Sequence, residues 1–179
     1  EYKKINFGIP HCKTIEKPFS WAQFLYDLNV EKVSKYNYIT ITLDDVKIMN
    51  YSLEDTIIQL NAHKYAVATP QIVGSYYTKR KLEKKFTEIF ISTFTNAAWN
   101  CWWNMMNFLK IDFNHTIGWG FDLCYPTFCP HVKHITTDFI AYHKFKPTNR
   151  LLSTIGNNEI NKYNKRMYAK FNKKCKRQI

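Results

Sequence analysis

Tyr36-Asn37-Tyr38-Ile39-Thr40-Ile41-Thr42-Leu43-Asp44-Asp45 is the stretch on which the fold turns. Eight residues rich in β-branched and aromatic side chains read as a strand that runs into the protein interior and ends on two acids. A carboxylate pair at the C-terminal lip of a buried strand is costly to desolvate unless a cation or hydrogen-bond donors face it. In open α/β sheets that lip is also where ligands bind. Two readings stand side by side: a divalent metal with a charged ligand, or an Asx-rich turn.

Working outward, residues 1–20 mix Lys, Pro and Gly and read as irregular, with room for a short strand at 5–9. Residues 19–33 place Trp21, Phe24, Leu25, Leu28 and Val33 close to helical spacing, with Ser20 as a candidate N-cap. Ser52 and Asp55 resemble a capping box that opens a second helix carrying Ile57, Ile58 and Leu60. Residues 65–69 read as a short strand stopped by Pro70, and 74–85 as a polar, basic loop or hairpin. Residues 86–94 read as a strand, and Thr95-Asn96 caps an apolar helix over 97–109. A turn-rich segment over 111–120 leads to a short helix from Phe121 and a last strand within 134–143. Strands alternating with helices predict an α/β domain with a mixed, mostly parallel sheet flanked by helices.

The 179 residues are enough for one domain with a substantial core, and a 45% apolar content argues for a globular chain over a disordered one. Charge is uneven. Residues 147–179 hold nine Lys/Arg against one acid, Glu159, so +8 of the net +12 sits in the tail. Within it Ile160, Tyr163, Met167, Phe171 and Cys175 recur every three or four residues, which predicts a basic amphipathic helix. The domain plan is therefore a core over 1–149 and a helical tail over 150–179. The tail's partners, by charge, are phosphates, anionic lipid heads or solvent.

Five cysteines (Cys12, Cys101, Cys124, Cys129, Cys175) read as too few and too scattered for a disulfide framework. No apolar run approaches the ~20 residues of a membrane span, and no signal peptide is visible. The chain opens on Glu1 without methionine, which allows for an upstream segment that has been removed. Asn50-Tyr51-Ser52 and Asn114-His115-Thr116 fit the N-glycosylation sequon, a short pattern that also arises by chance. Compartment is left open between an ER or Golgi lumen and the cytoplasm.

Two sets of residues suit metal chemistry. Asp44, Asp45, Asp122 and His143 each end or follow a predicted strand or turn, and carboxylates with an imidazole suit Mn²⁺ or Mg²⁺. Against this, His143 also suits a hydrogen-bonded core position. Cys124, Cys129, His131 and His134 fall within eleven residues and offer zinc ligands, at a spacing that fits no common zinc pattern. A local disulfide or free thiols, in an exposed loop marked by Pro126 and Pro130, is the alternative. There is no Gly-x-Ser-x-Gly elbow, phosphate loop or dinucleotide fingerprint. The aromatics lie in apolar elements and are not interleaved with Lys/Arg, so no specific nucleic-acid partner is expected.

Four blocks occur in an order that resembles glycosyltransferases of the A-type fold, over about residues 34–146. They are Tyr36 to Asp45, Phe94-Thr95-Asn96-Ala97-Ala98-Trp99-Asn100-Cys101, Gly118-Trp119-Gly120-Phe121-Asp122, and Asp138-Phe139-Ile140-Ala141-Tyr142-His143. The set is similar to a plant-rich glycosyltransferase-like family labelled lysine-ketoglutarate reductase trans-splicing related. The resemblance implies a Rossmann-like domain that moves a sugar from a nucleoside-diphosphate donor to a glycan or protein hydroxyl. It implies Asp45 and His143 on a Mn²⁺ or Mg²⁺ ion, and Asp44 on the metal or the donor. It further implies Asp122 as the acceptor-side base, with Trp119, Gly118 and Gly120 around the sugar. Leu43 stands where the first acid of the usual Asp-x-Asp is expected. Only 43 residues precede Asp44, so the family's first strand–helix unit is expected to have no counterpart in this chain. The competing function is a non-catalytic module whose basic tail contacts nucleic acid or an anionic membrane.

Overall fold

The computed structural model describes residues 21–43, 46–73, 91–109 and 121–143, together with Ala169 and Lys173. In chain order the elements are α1 (Trp21–Asp27), α2 (Val30–Val33), β1 (Tyr38–Thr42), β2 (Val46–Ile48) and α3 (Leu53–Asn61). They continue with β3 (Ala66–Val73), β4 (Ile91–Thr95), α4 (Asn96–Leu109), α5 (Phe121–Phe128) and β5 (Lys133–His143). The five strands make one sheet in the order β1-β4-β3-β5-β2.

The expected mostly parallel, Rossmann-like sheet does not form. Among the described strands only β3 and β5 pair in parallel, while β1–β4, β3–β4 and β2–β5 are antiparallel. The result is a mostly antiparallel sheet, nearly closed into a barrel, with a few helices. The expectation fails on adjacency. β1 and β3 do run in the same direction, as a strand–helix–strand unit predicts, but β4 is inserted between them and opposes both. The curl follows from chain length. β1 and β2 lie at opposite edges, yet only residues 43–45 separate them. A flat sheet would place those edges about 19 Å apart at ~4.8 Å per strand, whereas four chain steps reach about 14 Å at most. The sheet must bend to bring its edges together.

Each face has its own cover. On one, Ile39, Ile41, Val67 and Phe94 meet Leu25, Val33 and the buried stripe Ala98, Trp102, Met105, Met106 and Leu109 of α4. That stripe repeats at helical spacing, and each large side chain contributes about 1.5–3 kcal/mol by leaving water. The rings interlock edge to face: Phe94 with Trp99, Trp102 and Tyr125, and Trp102 with Phe121. α1 is tied to α4 by Trp103 Nε1 donating to Tyr26 O (3.0 Å) and Tyr26 Oη donating to Asn107 Oδ1 (2.8 Å). On the other face small residues, Ala66, Ala68 and Thr93, let α3 and Tyr51 approach closely, with Leu60 buried over the alanines. There Thr93 Oγ1 lies 2.8 Å from Tyr51 Oη and 3.0 Å from Thr40 Oγ1.

Local expectations mostly hold, with three corrections. The expected helix over 19–33 is two helices, broken at Leu28-Asn29, because Asn29 caps α2 by accepting from Lys32 N (2.9 Å). β3 does not stop at Pro70. It continues to Val73, and the register shifts between Thr69 and Gln71, so proline sits at an irregularity where no ladder N–H is required. Pro126 lies inside α5 and marks no exposed loop. Ser52 caps α3 as expected, accepting from Asp55 N (3.1 Å). Thr95 caps α4, accepting from Ala98 N (3.3 Å). Of the expected tail helix, Ala169 and Lys173 are helical and exposed, one turn apart and off the apolar stripe. The stripe itself, the strand at 5–9, Ser20 and the basic segment 74–85 lie outside the described residues.

Candidate functional site

β1, β3 and β5 all end at the same rim, where β2 and β4 begin. Asp44 and Asp45 connect β1 to β2 in the chain and lie outside the described residues, as do Gly118, Trp119 and Gly120. His143 is the last residue of β5, and its Cα partner across the β2–β5 ladder is Val46. Val46 directly follows Asp45 in the chain. Backbone pairing therefore seats His143 opposite the immediate neighbour of the second acid, far away along the sequence. Nothing in the sequence pattern signals this pairing, since β2 is three residues long and shows no alternation of its own.

Asp122 occupies a different layer. It lies half-buried in the first turn of α5, a position that suits an acid by the helix dipole alone. Its neighbour Phe121 packs edge-on against Trp102 of α4, with ring centroids 6.4 Å apart. Asp122 is thus carried by a helix and not by a strand end.

The zinc reading of Cys124, Cys129, His131 and His134 is overturned. Cys129 is bonded to Cys101, with the sulfurs 2.07 Å apart, and Cys124 is also disulfide-bonded. A sulfur locked in a disulfide is no thiolate ligand. His131 instead packs edge-on against Tyr65, and the His134 ring against Tyr125. Among the described residues no group of three or more His, Cys, Asp and Glu is placed to hold a metal ion. The disulfides also correct the view that five scattered cysteines form no framework. Cys101 lies on α4 and Cys129 just beyond α5, so the bridge ties together two helices that share one core cluster. The helical register of Cys101 beside Trp102 and Met105 is the one signal for it in the sequence.

Several polar side chains in the described residues tie the elements together. Asn96 Nδ2 donates to Val33 O (3.0 Å) and Tyr36 O (2.8 Å), fixing the α2–β1 turn to the start of α4. Thr95 Oγ1 accepts from Ala66 N (3.1 Å) and donates to Lys64 O (2.9 Å), linking the α4 cap to β3. The Tyr125 hydroxyl donates to Ala98 O (2.9 Å) inside the core, and burial raises its pKa well above the ordinary phenol value. Among the described residues, Trp102 Nε1 finds no hydrogen-bond partner and is buried among aromatic rings. Among the described residues no helix is long and apolar enough to cross a membrane.

No family model matches the chain, and neither a curated protein nor a solved structure is found to match it.

Proposed function

We propose that the β1–β2 rim binds a divalent cation with a nucleoside diphosphate, and that the chain transfers a sugar from such a donor to a glycan or protein hydroxyl. The observation that carries the reading is the Val46–His143 pairing, which joins the acidic crossover to the one histidine of the ordered motif set. Asp44, Asp45 and His143 offer two carboxylates and an imidazole, a donor set that suits Mn²⁺ or Mg²⁺ and leaves coordination positions for phosphate oxygens. When bound, such an ion supplies Lewis-acid stabilisation of the charge that develops on the departing diphosphate. Asp45 and His143 hold the ion, Asp44 holds the ion or the donor, and Asp122 takes the proton of the acceptor hydroxyl. Trp119, between Gly118 and Gly120, supplies a flat apolar face for the sugar. The proposal rests on these residues and not on the fold class, since unrelated folds carry the same chemistry.

Calorimetric titration with Mn²⁺ and a panel of uridine and guanosine diphosphate sugars tests the reading. Donor binding that requires Mn²⁺ and is lost in both Asp45→Ala and His143→Ala supports it. Asp122→Asn should keep donor binding and lose transfer. Donor binding that survives Asp45→Ala sinks the site. The basic tail provides a separate control: deleting 150–179 should leave donor binding in place, whereas a tail-based anion binder would lose its ligand and show steep salt dependence beforehand.

A further inference from the structure

We infer that Asn50 carries an N-linked glycan. Three independent observations meet at this residue. The first is chemical context: Cys101 is bonded to Cys129 and Cys124 is also bonded, and disulfides persist in oxidising compartments, where N-glycosylation takes place. The second is placement. Asn50 is exposed in the bend between β2, the terminal strand of the sheet, and α3. The third is how the side chain is used. Asn50 Oδ1 accepts from Ile140 N (2.9 Å), which fixes the amide plane through its oxygen. A glycan is attached through Nδ2, and the glycosylated amide keeps its Oδ1 acceptor.

Ser52 plays a part before and after the modification. In the nascent chain its hydroxyl completes the Asn50-Tyr51-Ser52 sequon. In the folded chain the same oxygen caps α3, accepting from Asp55 N, while Ser52 O accepts from Thr56 N (3.2 Å). Modification therefore precedes closure of this turn. The donor class is a polyprenyl-diphosphate-linked oligosaccharide. The Nδ2–C1 bond forms, the C1–O bond to the diphosphate breaks, and the proton lost from Nδ2 leaves with the departing polyprenyl diphosphate. No electrons change hands. The product places a hydrated sugar chain beside the terminal strand, where it opposes edge-to-edge pairing with another sheet.

The test is secretion of the full chain from a eukaryotic cell behind a cleavable leader, followed by peptide mapping. Trypsin cuts after Lys47 and Lys64, so Asn50 and Asn114 fall on different peptides. Treatment with peptide-N-glycosidase in heavy-oxygen water should convert Asn50 to labelled aspartate in the wild-type chain. The mobility shift of that site should vanish in Asn50→Gln and in Ser52→Ala and persist in Ser52→Thr. A secreted wild-type chain that contains the Cys101–Cys129 bond and an unmodified Asn50 peptide overturns the inference, as does labelling confined to Asn114. Because the mapping is done on the wild-type chain, a folding defect in any variant leaves its result unchanged.

Discussion

Removing the Cys101–Cys129 bridge should cost the protein a large share of its stability. The two cysteines are 28 residues apart, and a loop of that length lowers the entropy of the unfolded chain by about 12 cal/mol/K, or about 3.6 kcal/mol at 25 °C. For a chain of 179 residues this corresponds to a fall in Tm of roughly 7–14 °C, at about 2–4 °C per kcal/mol. The assay is urea unfolding of Cys101→Ala, Cys129→Ala and the double variant. Substitution is preferred to a reductant, which would also open the bond made by Cys124. Either single change removes the whole cross-link, so the double variant should lose little more than each single one. A small extra loss belongs to Cys129, which is fully buried and leaves a void when truncated. Two outcomes refute the reasoning. One is strict additivity of the single variants, which describes independent sites. The other is a wild-type digest without a linked Cys101–Cys129 peptide; trypsin cuts at Lys110 and chymotrypsin at Phe128, which separates Cys129 from Cys124.

Three further expectations can be checked by the same unfolding experiments. Thr95→Val removes an oxygen that caps α4 and bridges to β3; a loss of about 1–3 kcal/mol is expected, with most of it restored by Thr95→Ser. Asn96→Ala should cost about 2–3 kcal/mol, because two backbone carbonyls lose a shared donor, and Asn96→Asp should cost at least as much because it supplies no donor. Tyr125 remains protonated in the folded chain while the unfolded chain ionises near pH 10, so the unfolded state binds fewer protons above that value. Its contribution is thus fully present below about pH 10 and falls by ~1.4 kcal/mol per unit above it. Tyr125→Phe should flatten the alkaline slope by one proton, and an unchanged slope would contradict the burial of this phenol.

Local signals in the sequence are legible where a single residue does one job. Ser52 and Thr95 are short hydroxyl residues just ahead of apolar helical runs, and each satisfies an N–H that the helix leaves open. The 38–43 run reads as a strand for the same reason, since alternation needs no knowledge of the partner. Asn29 is hidden because its neighbours Leu28 and Val33 continue the apolar spacing across the break, so periodicity outweighs the cap. Pro70 misleads as a breaker. A proline ends a strand only where the ladder needs its N–H, and here the β3–β5 register slips at that point.

Adjacency is not legible, and the reason is physical. A strand's own pattern says which residues are buried, not which strand lies beside it. β4 sits between β1 and β3 because its two faces match two different environments. Phe94 fills the space among Trp99, Trp102 and Tyr125 on the helical side. Thr93 on the other side is small enough for Tyr51 and polar enough to bond it. This complementarity exists only once α3 and α4 are both in place. The same insertion puts β1 at an edge, and so forces the three-residue crossover to bend the sheet. In the chain, Asp44 and Asp45 follow the strand of one edge and precede the strand of the other. A cation held by these acids would tie the two edges together. On the proposed reading, loss of Asp45 would weaken metal binding and loosen the sheet closure at once, so Mn²⁺ should raise the unfolding midpoint of the wild-type chain and leave that of Asp45→Ala unchanged.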